Sequence, residues 1–254
     1  MTKSVFIASS ERQVSKSSIA LGVIDLFARQ VRSVGVFRPL VASSEHDAVT
    51  EAMLSQKGVN QSFESAIGVS YTEWADDPAQ AIDTIVAKYA EIEAKCDAVV
   101  ILGSDYDDIE SAQELGHNAV IAANLNSPIL FVTRAAARNV EQVKRLTESA
   151  IEAYEERHNS IAAIVATHVF EERHQGLAEA LREVRDVPVS LIPEDAVLGA
   201  PSVGAQFDAV GATQWLGQTD FRSLESLHTI VGAMTLPNLL ARLKRESTVI
   251  VPAD

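Results

Sequence analysis

The residues most able to do chemistry lie near the amino terminus. A short apolar run, Val5–Ala8, is followed by Ser9-Ser10-Glu11-Arg12-Gln13-Val14-Ser15-Lys16-Ser17 and then by a segment of helical period from Ser18. A loop that binds phosphate needs backbone N–H groups turned toward the anion, a lysine to reach the outer phosphates and a hydroxyl beside it to help hold Mg²⁺. Lys16 and Ser17 stand where that lysine and hydroxyl belong, and Ser10 and Ser15 complete the candidate nucleotide-contacting set. Glycine normally supplies the left-handed backbone and the close approach to the anion, but Ser9 and Ser15 occupy the two places where it is expected. Taken alone, a Lys-Ser pair at a helix start is more often solvated than bound to a nucleotide.

The elements that must position this loop read as a parallel α/β sheet. Strands are predicted at Val5–Ala8, Ser33–Phe37, Ala98–Leu102, Ile129–Val132, Ile161–Ala166 and Val189–Ile192. Helical stripes run through Ile19, Val23, Leu26 and Phe27, through Ile82, Ile85, Val86 and Tyr89, and through Val140, Val143, Leu146, Ile151 and Tyr154. Continuous rather than alternating apolar strands imply burial on both sides, so the fold class is a doubly wound, mostly parallel sheet with helices on both faces. Asp77-Pro78 predicts a helix start, and Ser44 with Asp47 resembles a capping box. After about residue 193 the alternation ends and glycines break the pattern. The last stretch, with a helix over Leu236–Leu243 and a strand over Thr248–Val251, is too short for a core of its own.

Composition excludes several classes. With 254 residues and a net charge of −14, the chain repels phosphate backbones and anionic lipid, so neither nucleic acid nor a membrane is an expected partner. There is no apolar run long enough to span a bilayer and no signal-peptide core at the start, which predicts a cytoplasmic protein. Cys96 is the only cysteine, so no disulfide or cysteine-based metal site forms within one chain. Asp105, Asp107, Asp108 and Glu110 crowd one loop after a predicted strand, where oxygen ligands suit Mg²⁺; a solvated acidic loop is the commoner meaning of such a run. His168 and His174 lack a carboxylate at helical spacing that would complete a metal triad. Trp74 and Trp215 are expected to be packing anchors.

The loop with Lys16-Ser17, together with Val36-Phe37-Arg38-Pro39 at the second strand, resembles the dethiobiotin-synthetase-like P-loop domain. More closely, the chain resembles the amino-terminal region of long-form bacterial phosphate acetyltransferases. Ile192-Pro193-Glu194-Asp195 is similar to that family's exit from its last strand, and Ile230–Leu240 with Val249–Asp254 to the opening of its small Asp-Arg-Thr-Gly-Gly module, whose signature itself is absent. The resemblance implies a P-loop NTPase-like domain over 1–225 and an incomplete module over 226–254. It also implies a regulatory or oligomerisation role beside a catalytic domain that this chain lacks, a homo-oligomer, and the remainder of the acetyltransferase polypeptide as partner.

Relatives with nucleotide chemistry carry loop glycines, Lys-Pro, Glu-Gly and a base-reading Asn. The matching places here read Ser9 and Ser15, Arg38-Pro39, Gly103-Ser104-Asp105 and Ala166-Thr167-His168. ATP hydrolysis is therefore expected to be lost, with weak ATP and Mg²⁺ binding at Lys16 the most such a site would keep. Asp105 is the candidate metal-side acid at a shifted position. The alternative is a stand-alone ATP-dependent enzyme resembling dethiobiotin synthetase.

Overall fold

Each of the six predicted strands becomes a strand of one sheet in the computed structural model, which describes residues 3–104, 111–217 and 220–251. The chain divides into two compact units, Met1–Pro193 and Glu194–Asp254, a division that falls ahead of the boundary expected near residue 225.

In the first unit the order is β1 (Lys3–Ser9), α1 (Lys16–Ala28), β2 (Val34–Val41), α2 (Ala48–Leu54), α3 (Phe63–Ala66), β3 (Ile67–Ser70), α4 (Tyr71–Asp76), α5 (Pro78–Glu93) and β4 (Ala98–Leu102). Then follow α6 (Ser111–Asn124), β5 (Ile129–Arg134), α7 (Val140–Glu155), β6 (Ile161–Val169), α8 (Leu177–Val184) and β7 (Val189–Pro193). The seven strands lie in the order β3-β2-β4-β1-β5-β6-β7. All pairings are parallel.

Alternate residues of the central strands feed two apolar clusters. Val5, Ile7, Val100, Leu102 and Val132 pack with Ala20 and Ile24 of α1 and Met53 of α2. Phe6, Ala8, Val99, Ile101 and Phe131 pack with Ile85 of α5, Ile121 of α6, Tyr154 of α7 and Leu181 of α8. Strand β3 is not among the predicted strands, because four residues containing a glycine carry little periodic signal. Its Gly68 is required, since a Cβ there would overlap the carbonyl of Pro39 in β2.

Two helical stripes differ from expectation. Leu26 is 56% and Leu146 47% exposed, so neither belongs to its buried face. In α7 the inward place goes to Thr147, whose hydroxyl lies 3.1 Å from that of Thr133 on β5; a satisfied polar pair is tolerated in a core where an unpaired one is not. Asp77 caps α5 as predicted, accepting from Ala79 and Gln80 N–H at 3.1 Å. The other predicted cap is Asp47 rather than Ser44, for Asp47 receives the Thr50 N–H at 2.9 Å and begins α2.

The second unit contains α9 (Val203–Ala209), a short 3-10 turn at Phe221–Ser223, β8 (His228–Val231), α10 (Leu236–Arg242) and β9 (Ser247–Ile250). Its parallel pair β8–β9 is a sheet of only two strands. Trp215 is 91% exposed and is no packing anchor, whereas Trp74, 7% exposed, packs against the His117 ring at a tilt, with centroids 5.0 Å apart.

Candidate functional site

The crossovers from β1 and β4 leave on opposite faces of the sheet, α1 on one and α6 on the other, while the two strands lie side by side. Outside their carboxyl ends is the place where open parallel sheets accept ligands. The β1–α1 loop sits there.

Its backbone keeps the conformation that glycine usually supplies. Gln13 and Ser15 both have positive φ, 54° and 59°, and Ser15 is the residue from which α1 starts. A side chain in the left-handed region costs about 1–2 kcal/mol, so the loop holds its shape at a price met by tertiary contacts. Those contacts are visible. Thr167 Oγ1 donates to the Val14 carbonyl at 3.0 Å, Tyr154 OH reaches the Ser9 carbonyl at 3.5 Å, and Ser9 Oγ donates to the Glu11 carbonyl at 3.1 Å. Arg138 grips both oxygens of Glu11 at 2.6 Å, and that carboxylate holds the guanidinium above its ordinary pKa. No side chain caps α1, and its first turn contains no acid.

Lys16 is buried, and its Nζ donates to the carbonyl of Ser104 just beyond β4. Ser104 is buried as well. Its N–H and hydroxyl both donate to Asn118 Oδ1 of α6, at 3.0 and 3.1 Å. The approach is close enough to require Gly103: a Cβ there would come within 2.7 Å of Asn118 Oδ1 and 3.0 Å of the Ile7 carbonyl. The lysine thus serves as a tie between α1 and the β4 exit. Ser10 is half-buried at the loop's start, Ser15 exposed, and Ser17 half-buried in the first turn of α1.

Asp105, with Asp107, Asp108 and Glu110, lies outside the described residues. Among the described residues no group of three or more His, Cys, Asp and Glu side chains could hold a metal ion. Arg38 is also engaged, with Asp47 at 2.9 and 3.0 Å, so the residue in the Lys-Pro place anchors the cap of α2. His174 is a structural link: its Nδ1 accepts from Phe170 N–H at 2.9 Å, and its Nε2 lies 3.1 Å from the Ala135 and Arg138 carbonyls. His168 has a positive φ of 55°. Burial pushes the Cys96 thiol pKa up, making it a poor nucleophile.

Sequence reasoning missed a polar set on α6. Glu114 and Asn118 are fully buried one turn apart; Tyr71 OH donates to Glu114 Oε1 at 3.0 Å. Burial lowers the His117 pKa, with Glu114 opposing the shift. The available signal was polar residues one turn apart on a helix whose other inward positions, Ala119, Ile121 and Ala122, are apolar. The second unit has a cavity of about 550 Å³, lined among others by Val203, Leu224, Ser226, Glu246, Ser247 and Thr248. That lining offers hydroxyls and carboxylates but no histidine, cysteine or lysine to act on them.

No helix among the described residues is long and apolar enough to cross a membrane. The phosphate acetyltransferase of Synechocystis sp. is 26% identical to this chain over 266 residues, an alignment that takes in 100% of this chain and 38% of that protein. That of Nitratidesulfovibrio vulgaris is 26% identical over 268 residues, with the same coverages of 100% and 38%. The chain therefore spans 38% of the length of these curated relatives, their amino-terminal region. Among solved structures, chloroplast FtsY from Physcomitrella patens superposes with a TM-score of 0.50 at 13% identity, covering 77% of this chain and 60% of that one. That likeness concerns the fold alone. A family profile described as AAA domain matches residues 3–202, and the chain belongs to that family, with a P-loop NTPase-like fold and homology to the amino-terminal region of phosphate acetyltransferases.

Proposed function

We propose that this chain is a regulatory and assembly region of a phosphate acetyltransferase, the enzyme class that interconverts acetyl-CoA and phosphate with acetyl phosphate and CoA, and that it is not catalytic by itself. The observation that carries this reading is the fate of Lys16. A lysine that serves nucleotide chemistry must present its ammonium to phosphate, whereas here the Nζ is buried against the Ser104 carbonyl. Homology to acetyltransferases that extend well beyond this length supports the assignment to that polypeptide. In this reading the dethiobiotin-synthetase-like domain has lost ATP hydrolysis, residues 226–254 open the Asp-Arg-Thr-Gly-Gly-type module, and the protein works as a cytoplasmic homo-oligomer. A ligand or neighbour that favours one arrangement of the region over another would bias a distant catalytic site by that difference in affinity.

A stand-alone ATP-dependent enzyme resembling dethiobiotin synthetase is favoured by one observation, the left-handed backbone kept at Ser15. Two measurements separate the readings. The purified chain should form no acetyl-CoA from acetyl phosphate and CoA; turnover there overturns the non-catalytic assignment. Calorimetric titration with ATP and Mg²⁺ should give no more than weak binding without hydrolysis. Micromolar binding that is lost in Lys16→Ala, accompanied by ADP release, would favour the stand-alone enzyme.

A further inference from the structure

The net charge of −14 and the arginines at the carboxyl end of β5 point in opposite directions. Arg134 is the last residue of β5, and Arg138 follows in the connection to α7. Arg138 is neutralised by Glu11 through two contacts of 2.6 Å. Among the described residues Arg134 has no such acid. Among the described residues its guanidinium makes no hydrogen bond or ion pair, and its Nε is sealed from solvent without a partner. An unsatisfied donor on a half-buried cation is costly, and proteins seldom keep one without a use.

Strand register fixes where this side chain stands. Ser9, the last residue of β1, pairs with Val132, so Arg134 lies beyond the end of β1, beside the loop. Side chains alternate along a strand. Phe131 and Ala135 belong to the cluster under α7, while Val132 joins the cluster that holds Val14 and α1. Arg134 therefore shares the loop's face of the sheet. The Arg138 side chain also donates to the main-chain carbonyl of Arg134 at 3.0 Å, which fixes the Arg138 guanidinium at the same strand end.

We propose that Arg134 anchors a binding site for a small multivalent oxyanion, and that Glu11 competes with that ligand for Arg138. A guanidinium fork matches the paired oxygens of phosphate or carboxylate. Two ligand sources share this chemistry, a phosphorylated small molecule and a di- or tricarboxylate. The site differs from the Lys16 seat, since Lys16 is directed to Ser104 and Arg134 comes from the neighbouring strand end.

The test is calorimetric titration of the whole chain at low ionic strength, without divalent metal, using inorganic pyrophosphate in one arm and citrate in the other. One or both should bind at one per chain, the preferred arm identifying the source. Arg134→Gln should weaken binding by roughly tenfold or more, the loss of a charge-assisted contact. Glu11→Gln, which releases Arg138, should strengthen it. In the unaltered chain, the bound anion should protect Arg134 from phenylglyoxal, read by peptide mass mapping; this arm decides the matter if Arg134→Gln does not fold. The proposal is overturned if neither anion binds, if Arg134→Gln binds as well as the parent, or if Arg134 is equally modified with and without anion. No readout involves acetyl transfer or ATP turnover, so this site and the proposed function can fail separately.

Discussion

The two units of this chain treat apolar side chains in opposite ways. In the first, Phe6, Phe37, Phe131 and Tyr154 are fully buried, and residues on both faces of the central strands have helices to pack against. In the second, Leu198, Leu216, Leu236 and Leu240 are between 61% and 87% exposed, and the parallel sheet stops at two strands. Parallel strands gain stability mainly from being covered on both faces, and a two-stranded sheet offers too little surface for that. The difference teaches that hydrophobic content alone does not make a core. The seven-stranded sheet encloses its leucines and valines because successive crossovers bring helices over each face, and the single β8–α10–β9 crossover cannot do so.

The sharpest test of the contrast is a pair of truncations read by chemical denaturation. Phe131→Ala empties a site where the ring meets Tyr154 edge-on with centroids 6.1 Å apart, and should cost about 3–5 kcal/mol. Leu240→Ala, on the exposed face of α10, should change the same transition by no more than about 0.5 kcal/mol. Comparable losses would mean that the second unit buries more than its exposure indicates. Next in size is Asn118→Ala, which leaves the Ser104 N–H and hydroxyl without their acceptor; a loss of about 1–3 kcal/mol is expected, with increased proteolysis after β4. A loss below the scatter of exposed-site variants would mean that this tie to α6 is dispensable. The smallest effect within the first unit has the opposite sign. Ser15→Gly relieves a positive φ and should raise stability by about 1 kcal/mol in thermal or urea unfolding. A destabilised variant would show that the Ser15 side chain makes a contribution larger than its backbone strain.

Much of the first unit was legible from its residues. Strand β4, Ala98–Leu102, has the bounds predicted from its run of five apolar residues, all buried. Pro78 after Asp77 marked the start of α5 because a fixed φ and a side-chain acceptor suit that position. Less was legible where a tertiary partner overrides periodicity. Thr147 takes the inward place expected of Leu146 because Thr133 across the gap satisfies its hydroxyl. At the candidate site, local spacing singled out the loop, Lys16 and Ser17 as candidates. It gave no sign of Glu11 pairing with Arg138, since those residues are 127 positions apart.

By itself, then, the sequence determined the class of fold and the departure of the loop from a glycine-rich phosphate site, because hydrophobic period and glycine content are local properties. Only tertiary structure decided what the charged residues do. Lys16 became a tie to Ser104, Arg138 a clamp on Glu11, and Arg134 a cation whose Nε is without a partner among the described residues. The physical reason is that a charge takes its role from the partner brought within a few ångströms, and in a parallel sheet those partners arrive from strands distant in sequence.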